Sequence, residues 1–272
     1  MNLKFRIIVF LSICFISCDY FDPSGLFYTT PVDTRFNDSI NSTALQPPAV
    51  DNSSDYSFAV VGDTHYYESN PRYLNKIAAN RSYLGISFII VLGDLTQAGT
   101  KDQYDYFYND YSTCPIPVYV IPGNHDLYNN GYEHYKKLFG PTVYHFKIGD
   151  TLFVFLDTAN GTLGDKQILW LETLLQANSH KTKLIFTHYS FFDREMQSPT
   201  SYGIPEEAYR IFDLFDRQNV DSVYSGHLHF TEQRTIRGVN YNIVRSLADD
   251  SSNNLVVTIR NNTVETKKIR VF

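Results

Sequence analysis

Five of the eight histidines in this 272-residue chain stand in short clusters with carboxylates and an amide. The clusters are Asp63-Thr64-His65, Gly93-Asp94, Gly123-Asn124-His125-Asp126, Thr187-His188 and Gly226-His227-Leu228-His229. Singly, each has an ordinary reading: Gly-Asp after an apolar run is a turn signal, and a lone histidine is a hydrogen-bonding residue. Together they supply carboxylate, imidazole and amide oxygen with no thiolate, which suits borderline divalent ions such as Mn, Fe, Zn, Co or Ni. Two such ions about 3.5 to 4 Å apart can acidify a shared water and clamp phosphoryl oxygens during in-line displacement at phosphorus.

Each cluster follows an apolar, strand-like run: 58–61, 88–92, 118–121, 184–186 and 220–224. The clusters therefore mark the carboxyl ends of strands, and in an open α/β sheet those ends share one rim where ligands bind. Residues distant in sequence can converge there into a single constellation. Between the clusters, helices are expected at 70–83, 101–111, 133–139, 164–177 and 205–216, the last opening on Pro205-Glu206-Glu207. Further strands are expected at 143–148, 151–157, 241–245 and 254–260, with a turn at Asn261-Asn262.

In this order the blocks resemble the signature of the calcineurin-like metallophosphoesterase superfamily: Asp-x-His, Gly-Asp, Gly-Asn-His-Asp/Glu, His and Gly-His-x-His, spanning about 56–230. The resemblance implies an α/β fold, a two-sheet β-sandwich flanked by helices in four layers, α-β-β-α. It implies that Asp63, His65, Asp94 and His229 hold one divalent metal ion, while Asp94, Asn124, His188 and His227 hold the other, with Asp94 as the bridge. Because Asn124 binds through a neutral oxygen, the assembly keeps positive charge for an anionic phosphate. His125 is expected on the substrate side, protonating the departing alkoxide or stabilising charge on phosphoryl oxygens. Part of the family carries a second Asp three residues after the bridging one; this chain has Gln97 there, and not the Tyr of purple acid phosphatases. A glutamine oxygen can accept the His125 ring N–H but cannot stabilise imidazolium as an anion would.

Asp126 is open between support of the ligand loop and plain turn formation. Tyr66, Tyr67 and Tyr189 adjoin His65 and His188 and so must lie near the rim, and 193–203 is a loop long enough to shape access to it. Most of the 21 Tyr and 20 Phe read as packing, including Tyr104, Phe107 and Tyr111 at helical spacing. Cys114 reads as a small apolar residue rather than a nucleophile.

Lys4 and Arg6 precede the apolar stretch Ile7 to Ile16, too short to span a membrane but suited to a signal-peptide core. Phe15-Ile16-Ser17-Cys18 resembles a bacterial lipoprotein box, so 1–17 is expected to be removed and Cys18 to carry a lipid; a soluble secreted or periplasmic form is the alternative. Residues 18–55, rich in Ser, Asn, Thr, Asp and Pro, are expected to form a flexible tether with a reach of about 30 Å. Residues 56–272 then make one catalytic domain at the cell envelope. Removing 1–17 takes two of 23 Lys plus Arg and none of 29 Asp plus Glu, leaving 21 against 29, or minus eight. That balance disfavours nucleic-acid tracks and admits a small phosphorylated substrate. The expected activity is hydrolysis of a phosphate mono- or diester by a hydroxide held between two metal ions. A nuclease with the same metal pair and a non-catalytic metal-binding interaction module are the alternatives.

Overall fold

A computed structural model describes residues 29–40, 44–67, 71–179, 182–192, 202–252 and 254–272. Its elements in chain order are α1 (Val32–Ser39), β1 (Asp55–Val61), α2 (Tyr73–Ala79), α3 (Arg81–Leu84), β2 (Ile86–Val91), α4 (Lys101–Ser112), β3 (Val118–Val120), a 3-10 turn (His125–Asn130) and α5 (Tyr132–Phe139). There follow β4 (Tyr144–Ile148), β5 (Thr151–Phe155), α6 (Gly164–Gln176), β6 (Thr182–Thr187), α7 (Pro205–Arg217), β7 (Ser222–Ser225), β8 (Glu232–Ile236), β9 (Val239–Ile243), β10 (Asn254–Arg260) and β11 (Thr263–Ile269).

The apolar runs pair as strands whose two faces are both buried, which is why they lack polar alternation. One sheet has the order β11-β10-β1-β2-β3 and the other β4-β5-β6-β7-β9-β8. Strands β1, β2 and β3 run parallel, as do β5, β6, β7 and β9. Their carboxyl ends therefore share a rim. Alternate residues sort to opposite faces: Phe58, Val60, Phe88 and Ile90 enter a core shared with Phe153, Phe155, Phe186 and Tyr224 of the other sheet. Ala59, Val61, Ile89 and Val91 instead meet Leu74, Ile77, Tyr104 and Phe107 of the outer helices. On the far side, Val154, Ile185 and Val223 meet Ile168, Leu171, Ile211 and Phe215. The layers are helix, sheet, sheet, helix. Stacked rings fill the centre, with Phe58 and Phe88 4.8 Å apart and Phe155 and Phe186 4.9 Å apart. Each buried ring contributes roughly 2–3 kcal/mol.

Three expectations need correction. The segment 18–55 is not a tether throughout: α1 packs on α6, with Phe36 edge-on to Trp170, and Ala44 bridges His145. Arg35 decides this, because its guanidinium is fully buried and donates to both oxygens of Asp157 at 2.6 Å, while its Nη1 donates to Asn160 and the Thr30 carbonyl. A composition typical of disorder is overridden by one charge pair that only the folded body can complete. The expected helix at 70–83 is two short helices, broken at Asn80. The expected strand at 241–245 starts earlier, at Val239, because it pairs with β8, a polar edge strand that has no apolar period to reveal it. Cys18 and 193–201 lie outside the described residues.

Candidate metal centre

Five of the seven expected ligands hold positive φ: Asp63 at 54°, His65 at 43°, Asp94 at 48°, His227 at 69° and His229 at 54°. A left-handed backbone costs a non-glycine residue of order 1 kcal/mol or more, and such strain concentrates where a site over-determines it. The rim thus turns each chain sharply as it leaves its strand and swings the side chain inward. Gly123 makes the approach possible: a Cβ there would lie 2.1 Å from Asp94 Oδ1. A Cβ on Gly93 would lie 2.6 Å from His188 Nδ1.

The side chains meet in two adjacent groups, linked by a third made of His65, Asp94 and His125. Asp63, His65 and His229 form one, with His229 Nε2 3.7 Å from Asp63 Oδ1 and 3.2 Å from His65 Nε2. Asp94, His188 and His227 form the other, with His188 Nε2 3.4 Å from Asp94 Oδ1, 3.2 Å from His227 Nδ1 and 3.1 Å from Asn124 Oδ1. Asp94 joins them, its second oxygen 3.7 Å from His65 Nε2. Ring partners fix which nitrogens carry protons. His188 Nδ1 donates to the Leu92 carbonyl at 2.7 Å, and His229 Nδ1 donates to Asp249 Oδ2 at 3.0 Å. Their Nε2 atoms therefore face the cluster, where each offers a lone pair once any further proton is displaced, toward carboxylate oxygens and further ring nitrogens. Acceptors set against acceptors at these distances are what a divalent cation reconciles, and the donor set is that of borderline divalent ions.

Electrostatics agree. Burial pushes Asp63 up and presses His65 down to about 4 and His227 down to about 3, so both rings are neutral lone-pair donors at neutral pH. Burial works to raise Asp94, yet His188 and His125 hold it well below the usual carboxylate range. Burial likewise opposes charge on His188, but Asp94 pushes it up to about 9. A proton on His188 does there what a metal ion does better.

Supporting contacts refine the sequence reading. His125 Nδ1 donates at 2.6 Å to the main-chain carbonyl of Gln97, not to its side chain, so the residue type at position 97 is immaterial to this bond. His125 also falls within ligand reach of His65 and Asp94, at the edge of the first group. Asp126 is fully buried and accepts from the backbone N–H groups of Leu95, Thr96 and Gly123, tying the Asp94 loop to the Asn124 loop. Tyr66 lines the cavity beside His65, but its ring is buried and its hydroxyl donates to Asp110 at 2.5 Å. Tyr189 stacks on His227 with ring centres 3.8 Å apart. Cys114 is half-buried and its thiol is pushed up by burial, which suits packing.

Two partners escaped sequence reading. Tyr128 accepts from Asn124 Nδ2 at 3.0 Å, which points Oδ1 of that amide at His188. Asp249 holds His229 as described above; an Asp-Asp pair just past a strand was its only signal.

The profile of the calcineurin-like phosphoesterase family matches residues 56–230. A probable cyclic nucleotide phosphodiesterase of Rhodopseudomonas palustris is 26% identical over 73% of this chain and 81% of its own length. A probable glycerophosphodiester phosphodiesterase of Arcobacter nitrofigilis is 25% identical over 62% of this chain and 70% of its own. Among solved structures, a dimetal phosphatase of Danio rerio shares the fold, with a TM-score of 0.65 at 14% identity over 80% of this chain and 96% of that one.

Proposed function

The chain belongs to the calcineurin-like phosphoesterase family, a hydrolase of phosphate esters that uses two divalent metal ions, and from that premise we propose that it is a phosphodiesterase with Asp63, His65, Asp94 and His229 around one ion and Asp94, Asn124, His188 and His227 around the other. The single observation behind the ligand reading is the inward convergence of lone pairs from His188 and His229 on Asp94 and Asp63. The names of the sequence relatives support a diester substrate.

Bound ions supply Lewis acidity for the phosphoryl oxygens and acidify a water into the attacking nucleophile. The chain supplies the rest. Asp126 keeps the two ligand loops in register, and Tyr128 holds the Asn124 amide with its oxygen inward. With Nδ1 committed to the Gln97 carbonyl, Nε2 of His125 is the ring nitrogen left to deliver a proton to the departing oxygen. The protein with added Mn should cleave bis(p-nitrophenyl) phosphate faster than p-nitrophenyl phosphate; the reverse order would turn the reading to a monoesterase.

For location, we propose that 1–17 is a cleaved signal, that Cys18 carries the lipid, and that the catalytic domain of 56–272 is bound from the amino-terminal side by the docked helix α1. Lys4, Arg6 and the apolar run before Cys18 support this. Detergent partitioning of a Cys18→Ser variant tests it: unchanged partitioning would leave an ordinary secretory signal.

A further inference from the structure

A cavity of about 500 Å³ opens on the metal centre, reaching His65, His125 and His229. A substrate whose phosphoryl group sits at the ions must place one of its ester substituents here, since His125 and two ligand rings form part of the wall. The other described residues of the wall include Tyr67, Tyr73 and Gln97, which are aromatic or neutral. Among the described lining residues, apart from the histidines, Asp249 is the only acid or base of strong charge, and none is Lys or Arg. Lys76 stands 5.8 Å over the Tyr73 ring but does not line the cavity.

Asp249 is also not used up. One oxygen accepts from His229 Nδ1 at 3.0 Å, while the side chain stays about half exposed, at 48%. Tyr67, which lines the same cavity, is 49% exposed, so an aromatic surface and a carboxylate oxygen are both presented to a ligand. A carboxylate with aromatic rings recognises an ammonium group, through charge and through the ring quadrupole. A neutral substituent gains neither. An anionic one meets repulsion from Asp249 with no lysine or arginine among the described lining residues to relieve it.

Resting on the phosphoesterase reading above, we propose that Asp249 is a specificity-determining residue that selects phosphodiesters by the charge of the substituent, favouring one with a cationic ammonium group. A ribose or base in the same cavity would depend on hydrogen bonds from Gln97 and Thr64 rather than on the charge of Asp249, and is the competing outcome.

Three p-nitrophenyl phosphodiesters separate these ideas, tested on the Mn-loaded protein: the choline ester, its uncharged 3,3-dimethylbutyl counterpart, and a carboxyalkyl ester of similar length. The expected kcat/KM order is cationic, neutral, anionic, with about five- to tenfold per step for a half-exposed charge. In Asp249→Asn the amide oxygen still accepts from His229, so any loss arising at the metal is common to all three and cancels in their ratios. Those ratios should shrink to within about twofold. Calorimetry reads the same selectivity without turnover, as the Kd of choline phosphate against 3,3-dimethylbutyl phosphate, tighter for the former in the native protein and equal in the variant. Equal rates for the three esters, ratios unchanged in the variant, or a nucleoside diester preferred over all of them would overturn the inference and leave the phosphoesterase reading standing. No hydrolysis of any ester would instead sink that reading, and the calorimetric ratio would still decide the role of Asp249.

Discussion

Two buried charge clusters flank the loop that follows β5, and they are built on opposite terms. In one, Arg35 and Asp157 are fully buried and pair through two hydrogen bonds, with Asn160 and the Thr30 carbonyl accepting from Nη1. In the other, one residue along, Thr158 Oγ1 accepts from the backbone of His188, and the ion pairs of Asp63 and Asp94 among the described residues are all with imidazoles. The first cluster is complete as protein. The second is complete only with cations, because carboxylate oxygens and ring nitrogens crowd together there and its backbone is held in left-handed turns. A buried pair that closes on itself locks a segment in place, whereas one left open is a binding site.

The largest expected effect breaks the open cluster. Asp94→Asn should abolish binding of two ions and lower turnover by about 10⁴-fold or more, read by metal analysis and diester hydrolysis. The metal-free variant should melt somewhat lower than the metal-free native protein, because the His188 ring loses the carboxylate that faces it. Retention of two ions with normal turnover would remove Asp94 as the bridge.

His125→Asn tests where the open cluster ends. Both ions should stay, while esters of poor leaving groups slow by about 10² to 10⁴-fold and nitrophenyl esters suffer less, because their leaving group needs little protonation. Loss of an ion would make His125 a ligand.

The closed cluster should fail through stability rather than through metal binding. Arg35→Met strands the Asp157 carboxylate and should cost about 3–5 kcal/mol, lowering the melting temperature by roughly 10 °C with or without metal. The double change with Asp157→Leu should recover much of that loss, and a melting temperature unmoved by the single change would show that α1 is dispensable.

The smallest effect concerns orientation. Tyr128→Phe removes the acceptor that aims the Asn124 amide and should weaken the second ion about tenfold in a metal titration, with stability nearly unchanged.

Much of this was legible in the chain. The donor types, their order and their places after apolar runs survive into the structure, because a strand buried on both faces needs an unbroken apolar run and the ligands sit where such a run stops. Helices α4, α6 and α7 match the spans read from apolar period and, for α7, from the Pro-Glu-Glu start. The misses share a cause. Strands β8 and β11 lie at sheet edges with exposed polar faces, so they have no apolar signal, and α1 has a mixed composition that reads as linker.

Sequence by itself determined which atoms could bind metal and that they would gather at strand ends. Only the tertiary structure decided that the Gln97 carbonyl, rather than its amide, holds His125, that Tyr128 orients Asn124, that Asp249 stands behind His229, and that Arg35 finds Asp157. The reason is physical. Backbone carbonyls carry no residue identity, and contacts between loops depend on strand order, as when β10, late in the chain, pairs with β1 and returns the segment after β9 to the rim, where Ser246 binds the Asp63 carbonyl. Such partners are chosen by the packed sheets, not by neighbours in the chain.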